Sequence, residues 1–357
     1  MLAERPVYPF SAIVGQDQLK RALILNAINP QIGGLLIRGP KGTGKSSSVR
    51  ALADLLPEVE VVDGCRFNCS PTDPTNMCQD CLSMYRKGEP LKVARRKMRV
   101  IDLPIGATED RVVGSLDIEQ AIKHGIRAFE PGILAEANQN ILYIDEVNLL
   151  PDHITDDILD AAASGWNIVE REAVSIAHPS RFILVGTMNP EEGELRPQLL
   201  DRFALHITVK EIMDEKQRVE IIRNNIAFGE RPVEFVKSYM KEQEALRRRI
   251  QDARKLLEHV KVDDAYLEAV ASACISLNID GHRPDIVTIR AAKTLAAFEG
   301  RREVTAHDIL QVAEMAIGFR TRREGFDEPA TPEEVRKAFT NALVGKRLLE
   351  TSQKPEV

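Results

Sequence analysis

The run Gly39-Pro40-Lys41-Gly42-Thr43-Gly44-Lys45-Ser46 constrains this chain more than any other stretch. Glycines on either side of a four-residue spacer let the backbone turn tightly, so that successive N–H groups converge on anionic oxygen. The lysine that follows supplies a cation for β- and γ-phosphates, and the serine a hydroxyl for Mg²⁺. The flanks agree with this reading. Leu35-Leu36-Ile37 has the character of a short apolar strand, and 47–56 reads as a helix with Val49, Leu52, Ala53 and Leu56 at helical spacing. Strand, glycine loop and helix in succession form the context in which such a string holds phosphate. Gly39, Pro40, Lys41, Gly42, Thr43, Gly44, Lys45, Ser46 and Ser47 are therefore candidate nucleotide contacts.

A second part of the site is legible downstream. Ile141-Leu142-Tyr143-Ile144 is a nearly continuous apolar run that ends in Asp145-Glu146. A strand buried on both faces reads this way. Asp145 and Ser46 are the expected ligands of the Mg²⁺ of MgATP, and Glu146 the group that orients and deprotonates the attacking water. Phe182-Ile183-Leu184-Val185-Gly186-Thr187 is another apolar run, followed by Met188-Asn189-Pro190. If the two strands are neighbours, Asn189 lies beside the γ-phosphate and positions water. Its alternative is turn chemistry ahead of Pro190.

With Leu195-Arg196-Pro197-Gln198-Leu199-Leu200-Asp201-Arg202-Phe203 added, the motifs resemble those of the AAA+ ATPases, which work as rings. The resemblance implies that Arg202 is presented to the neighbouring subunit's ATP, where spread transition-state charge rewards an arginine. It also implies that Arg283, in Gly281-His282-Arg283-Pro284, touches the γ-phosphate from a helical lid. A structural arginine at a helix start is the alternative for Arg283.

The longer segments Phe10-Ser11-Ala12-Ile13-Val14-Gly15-Gln16, Cys65 to Cys81, Asp102-Leu103-Pro104-Ile105-Gly106-Ala107-Thr108-Glu109-Asp110-Arg111 and Phe129-Glu130-Pro131-Gly132-Ile133-Leu134-Ala135-Glu136-Ala137-Asn138 resemble the I-subunit family of magnesium chelatase. Gly281-His282-Arg283-Pro284-Asp285 belongs to the same set, and the nucleotide motifs show no departure from the family's. That likeness implies an α/β AAA+ P-loop module, with a parallel sheet between helices and a C-terminal helical lid domain. It places Val14 among the nucleotide contacts. It implies ATP and Mg²⁺ as cofactors, a homo-oligomeric ring (a hexamer), a D-type AAA+ adaptor, and an H-type catalytic subunit that binds porphyrin. The implied task is driving Mg²⁺ insertion into protoporphyrin IX for chlorophyll or bacteriochlorophyll synthesis. Residues 116–131 would be an insertion within helix 2, and 167–177 the hairpin before the first sensor. Two other classes compete: a MoxR-like AAA+ chaperone, which should lack the Cys-rich segment, and a DNA-remodelling motor.

Composition speaks against nucleic acid as a partner. The 357 residues carry a formal net charge of −6, with 29% charged and 43% hydrophobic residues. The short basic run Arg95-Arg96-Lys97-x-Arg99 lacks the broad basic surface that phosphate backbones need. No apolar stretch is long enough to span a bilayer, and residues 1–10 show no apolar signal core. The expectation is a bacterial, cyanobacterial cytoplasm, or the plastid stroma for a processed form.

Four of the five cysteines crowd together as Cys65-x₃-Cys69 and Cys78-x₂-Cys81. The second pair has metal-ligand spacing and the first could complete four thiolates. A thiol–disulfide switch and inert loop thiols remain alternatives. The family resemblance does not imply a required metal there.

Periodicity predicts helices over 215–228, a long charge-rich helical segment over 232–260, and about four more helical stretches in 263–350. Thr305 and Thr331-Pro332-Glu333-Glu334 read as helix starts. Residues 64–97 read as irregular. The expected domains are 1–228 for the nucleotide-binding module with its Cys-rich segment (64–97), 229–260 for a long helical linker, and 261–357 for the lid.

Overall fold

A computed structural model of the chain describes residues 6–116, 129–171, 174–193, 195–320 and 329–349. In chain order the helices are α1 (Asp17–Ile28), α2 (Lys45–Leu55), α3 (Gln79–Arg86), α4 (Glu109–Val113), α5 (Ile133–Ala137), α6 (Asp152–Ser164) and α7 (Pro197–Arg202). They continue as α8 (Glu215–Glu230), α9 (Pro232–Ser238), α10 (Met240–Leu257), α11 (Asp264–Ser276), α12 (Arg283–Phe298), α13 (Ala306–Ile317) and α14 (Pro332–Gly345). The strands are β1 (Leu35–Arg38), β2 (Val59–Val62), β3 (Val93–Arg96), β4 (Val100–Leu103), β5 (Gly114–Leu116) and β6 (Phe129–Pro131). β7 (Ile141–Ile144), β8 (Trp166–Arg171), β9 (Val174–Pro179), β10 (Ile183–Met188) and β11 (Leu205–Thr208) complete them. Two compact units share these elements. The first holds residues 1–15, 39–193 and 210–244; the second holds 16–38, 194–209 and 245–357.

In the first unit β7 pairs in parallel with β4 on one side and β10 on the other. All four β7 residues are buried, and so are all six of β10. The absence of alternation follows from parallel strands covered on both faces. The register sets Gly186 opposite Ile144, so Asp145, just after β7, and Thr187, near the end of β10, fall at the same edge. The N–H of Gly39 donates to the Met188 carbonyl at 3.1 Å, which brings the glycine loop to that edge. α2 grows out of the loop and buries Ser48, Val49, Ala51, Leu52, Ala53 and Leu55. β8 and β9 form the expected antiparallel hairpin, with Val169 opposite Ile176. β5 and β6 also pair antiparallel. The rest of the expected helix-2 insertion, 117–128, lies outside the described residues.

Two expectations need correction here. Residues 64–97 contain α3 and β3, and β3 pairs antiparallel with β2. β3 escapes pattern reading because Val93-Ala94-Arg95-Arg96 offers one apolar face only at its start. The basic run consequently lies on and after a strand, and three of its four charges are paired. Arg95 meets its cross-strand partner Glu60 at 2.8 Å, Arg99 meets Glu136 at 3.2 Å, and Lys97 lies 3.8 Å from Asp54. The helical segment from Pro232 is also divided. α9 ends at Tyr239, whose φ of −99° and ψ of 3° leave the helical range, and α10 begins beyond it.

In the second unit β1 and β11 pair in parallel, Leu35 with Leu205 through Arg38 with Thr208. α1 packs on both strands and α13 on β11. The four C-terminal helices α11–α14 match the four expected stretches. Alanine at 291, 292 and 296, each fully buried, lets α12 lie close to α13. The helix starts at Thr305 and Thr331 are both closed by capping boxes, through Asp308 and Glu334. Among the described residues no helix is long and apolar enough to cross a membrane.

Candidate nucleotide site

The glycine loop and the two strand ends enclose a cleft of about 420 Å³ in the first unit. Lys41, Gly42, Thr43, Gly44, Lys45, Ser46 and Ser47 line one wall, and Asp145, Glu146, Thr187, Met188 and Asn189 the other. Gly42 and Gly44 have φ of +82° and +77°, left-handed values that a side chain would strain. A Cβ at either would meet nothing within 4 Å, so the loop curves around open space. Gly44 is also the N-cap of α2, whose unpaired N–H groups and positive dipole end complete an anion cradle.

The loop's lysine is turned onto its own backbone. Lys45 Nζ donates to the carbonyls of Gly39 at 2.6 Å and Pro40 at 2.7 Å. Burial pushes its pKa down, and the Asp145 and Glu146 carboxylates oppose that shift. Thr43 Oγ1 donates to the Pro40 carbonyl, closing the loop from inside.

The opposite wall is a hydrogen-bonded cluster. Thr187 Oγ1 donates to Asp145 Oδ1 at 2.6 Å and accepts from the Glu146 N–H at 3.2 Å. The Tyr143 hydroxyl donates to the same Asp145 oxygen at 2.9 Å. Burial pushes the Tyr143 pKa up to about 12, with Thr187, Ser46 and Asp145 as its hydrogen-bonding neighbours. Glu146 has φ of +54°, an uncommon value for a non-glycine residue at a strand end. Sequence reading missed Thr187 and Tyr143 as members of this cluster. Thr187 ended an apolar run and Tyr143 sat inside one, so the strand pattern concealed both hydroxyls.

Asn189 is buried and lines the cleft, and its Oδ1 accepts the Glu191 N–H at 3.3 Å. It therefore both caps the turn that begins at Pro190 and faces the cleft. Val14 is half-buried beyond the turn Phe10–Ala12 and is not among the lining residues. In the second unit Arg202 ends α7 and Arg283 begins α12. The two meet: Arg283 Nη2 donates to the Arg202 carbonyl at 2.6 Å.

A phosphate cradle, an ammonium, a hydroxyl and a carboxylate in one cleft fit a nucleotide with Mg²⁺. The parallel strands and this cleft define a P-loop ATPase of the AAA class. The AAA domain family matches residues 31–192, and the AAA lid domain family residues 267–338.

Relatives narrow the class. The chain is 58% identical to the "Magnesium-chelatase subunit ChlI homolog" of Methanocaldococcus jannaschii, over 96% of this chain and 93% of that protein. It is 54% identical to the chloroplastic "Magnesium-chelatase subunit ChlI" of Chlamydomonas reinhardtii, over 94% of this chain and 80% of the relative. It is 52% identical to the ChlI subunit of Synechocystis sp., over 94% of each. A cryo-EM-based structure of the complex between subunits BchI and BchD of magnesium chelatase aligns with a TM-score of 0.54 at 42% identity, over 96% of both chains. A putative ATPase of Cytophaga hutchinsonii shares the fold at a TM-score of 0.59 and 17% identity. The chain belongs to the magnesium-chelatase subunit I family.

Proposed function

We propose that this chain is the ATPase motor of a magnesium chelatase, hydrolysing ATP so that a partner subunit inserts Mg²⁺ into protoporphyrin IX. The observation that carries the reading is the Tyr143–Asp145–Thr187 cluster set against the glycine loop, in a chain so similar throughout to ChlI proteins. Lys45 leaves its loop carbonyls for the phosphates of ATP, and Ser46 and Asp145 hold the Mg²⁺ of MgATP. That ion serves phosphoryl transfer and is not the one delivered to product. Glu146 takes the proton of the attacking water, and Asn189 orients that water. The backbone N–H groups of Lys41 to Ser47 hold the phosphates, Gly39 and Pro40 shape the entry to the loop, and Val14 contacts the nucleotide beyond the cleft wall.

Arg202 acts on the neighbouring subunit's ATP in a homo-oligomeric ring, a hexamer, and Arg283 acts from the lid. The domain division that suits this motor is a nucleotide-binding module at 1–228, a helical linker at 229–260 and a lid at 261–357. Partners follow from the relatives. The structure of BchI with BchD supports a D-type adaptor, and an H-type subunit supplies the porphyrin site. Cyanobacterial and chloroplastic relatives support a cytoplasmic or stromal setting.

Reconstitution tests the proposal. This chain, D-type and H-type subunits, ATP, Mg²⁺ and protoporphyrin IX are mixed, and Mg-porphyrin fluorescence is followed. The expected result is product only when all three proteins and ATP are present. A complete mixture without product sinks the chelatase reading. Product at the wild-type rate with Glu146→Gln removes the motor role.

A further inference from the structure

The nucleotide site leaves the four clustered cysteines unexplained. They lie in a lobe inserted between β2 and β3, residues 63–92. Cys69, Cys78 and Cys81 are buried, and Cys65 is half-buried. Their four Sγ atoms all lie within 4.8 Å of one another, with Cys65 and Cys78 at 4.0 Å. Disulfide chemistry needs only two close pairs. Mutual proximity of all four is instead the arrangement of a tetrahedron, whose sulfurs around a metal at 2.3 Å stand about 3.8 Å apart.

The backbone is shaped for these sulfurs. Asn68 has φ of +49°, which turns the chain so that Cys69 comes back beside Cys65. The Phe67 N–H donates to Cys65 Sγ at 3.4 Å, and the Cys78 N–H to Cys69 Sγ at 3.0 Å. Cys78 is the N-cap of α3 and Cys81 lies in its first turn, where the helix dipole favours thiolate. Packing makes the same point. Between residues 63 and 92 the buried apolar side chains are Phe67, Pro71, Met77 and three of these cysteines, with no leucine, isoleucine or valine among them. An insertion with so little core needs a staple.

We propose that Cys65, Cys69, Cys78 and Cys81 bind one structural zinc ion that serves as the core of this lobe. Four thiolates in a closed tetrahedral set suit zinc, which needs no open coordination position in a structural role. Binding displaces the thiol protons, so affinity rises with pH. The lobe is also braced against the strand that carries Asp145. Asn138, just before β7, donates through Nδ2 to the carbonyls of Phe67 (2.8 Å) and Asn68 (3.1 Å) and to Asn76 Oδ1 (2.9 Å). Phe67 stacks on His178 of β9, ring centres 4.8 Å apart. Zinc thus holds a lobe that supports β7 and the β8–β9 hairpin.

The test uses the full chain, produced with zinc in the medium and purified under reductant without chelator. Elemental analysis is expected to give about one zinc per chain. Cys78→Ser/Cys81→Ser is expected to lose it, and Cys274→Ser, which alters the remaining buried cysteine, to keep it. Wild-type protein stripped with a thiol reagent, reduced and given Co²⁺ should show the intense visible bands and sulfur-to-cobalt charge transfer of a tetrahedral tetrathiolate. This second readout stands even if the double variant fails to fold. A small fraction of an equivalent of zinc, with no tetrathiolate cobalt spectrum, overturns the proposal in favour of a redox pair or inert thiols. Stoichiometric iron in place of zinc, or full zinc retention by the double variant, overturns it as well.

Discussion

Lys41 Nζ stands 3.2 Å from Glu146 Oε1 and 2.5 Å from Glu192 Oε1, so a lysine of the glycine loop holds the carboxylate assigned to water activation. The Lys41 pKa is raised by these contacts, Glu192 first and Glu146 second. In the role proposed for it, Glu146 exchanges this ion pair for water. Lys41 is 65% exposed, so the pair is well screened by solvent and gives way readily.

Glu146→Gln is expected to bind ATP within a few-fold of wild type and to hydrolyse it about 10²–10⁴ times more slowly. The amide keeps the shape and loses the base, while Lys45, Ser46 and Asp145 still hold MgATP. Lys45→Ala should weaken binding as well. Nucleotide affinity by fluorescent-analogue titration and phosphate release give the two readouts; wild-type turnover in the Gln variant ends the assignment. Lys41→Ala should leave the melting temperature unchanged, since the ion pair is exposed.

Thr187→Val tests the cluster that positions Asp145. It removes a hydroxyl bonded to Asp145 Oδ1 and to the Glu146 N–H with little change of volume. The expected loss is about 1–2 kcal/mol in stability, for polar groups left short of a partner. Turnover should fall about tenfold or more, with a smaller change in ATP affinity. Thr187→Ser should recover most of both. Equal turnover in the Val variant and wild type would remove Thr187 from the working site.

Arg202→Ala should bind ATP and hydrolyse it poorly. Mixed with Lys45→Ala protein, it should regain part of the activity, because some interfaces then pair an intact cleft with an intact arginine. Mixtures no more active than the two proteins apart place Arg202 outside the neighbour's site.

The second unit carries a pH dependence of its own. His206, on β11, packs against Phe319, and burial followed by the nearby Arg38 charge drives its pKa down to about 4. The unfolded chain takes up this proton near pH 6.5, the folded one only near pH 4. Between those values the unfolded state binds more protons, so stability falls as pH is lowered through that window, by about 3 kcal/mol. Denaturant melts at pH 7 and pH 4.5 should show the loss, and His206→Phe should shrink it. An undiminished difference in the variant assigns the effect to other groups.

Features governed by neighbouring residues are legible in the sequence. The glycine loop is a local backbone device, so its string suffices. The helix starts at Thr305 and Thr331 are both present as read, each closed within three residues by a capping box. Ile141–Ile144 and Ile183–Met188 are buried on both faces, and a continuous apolar run says so without a structure.

Tertiary structure decided what depends on residues far apart in the chain. The 144–186 register alone carries Thr187 to Asp145, and Lys41 reaches Glu146 across more than a hundred residues. β3 exists because β2 offers a partner edge, with Glu60 opposite Arg95, and its own side chains barely announce it. The cysteines show the division most plainly. Their spacing admits a metal site, a disulfide or idle thiols alike. The fold brings all four sulfurs within 4.8 Å of one another, because a left-handed turn at Asn68 and the start of α3 are held in register by hydrogen bonds from Asn138. Short-range preferences choose the elements; long-range packing chooses which side chains meet, and chemistry depends on the meeting.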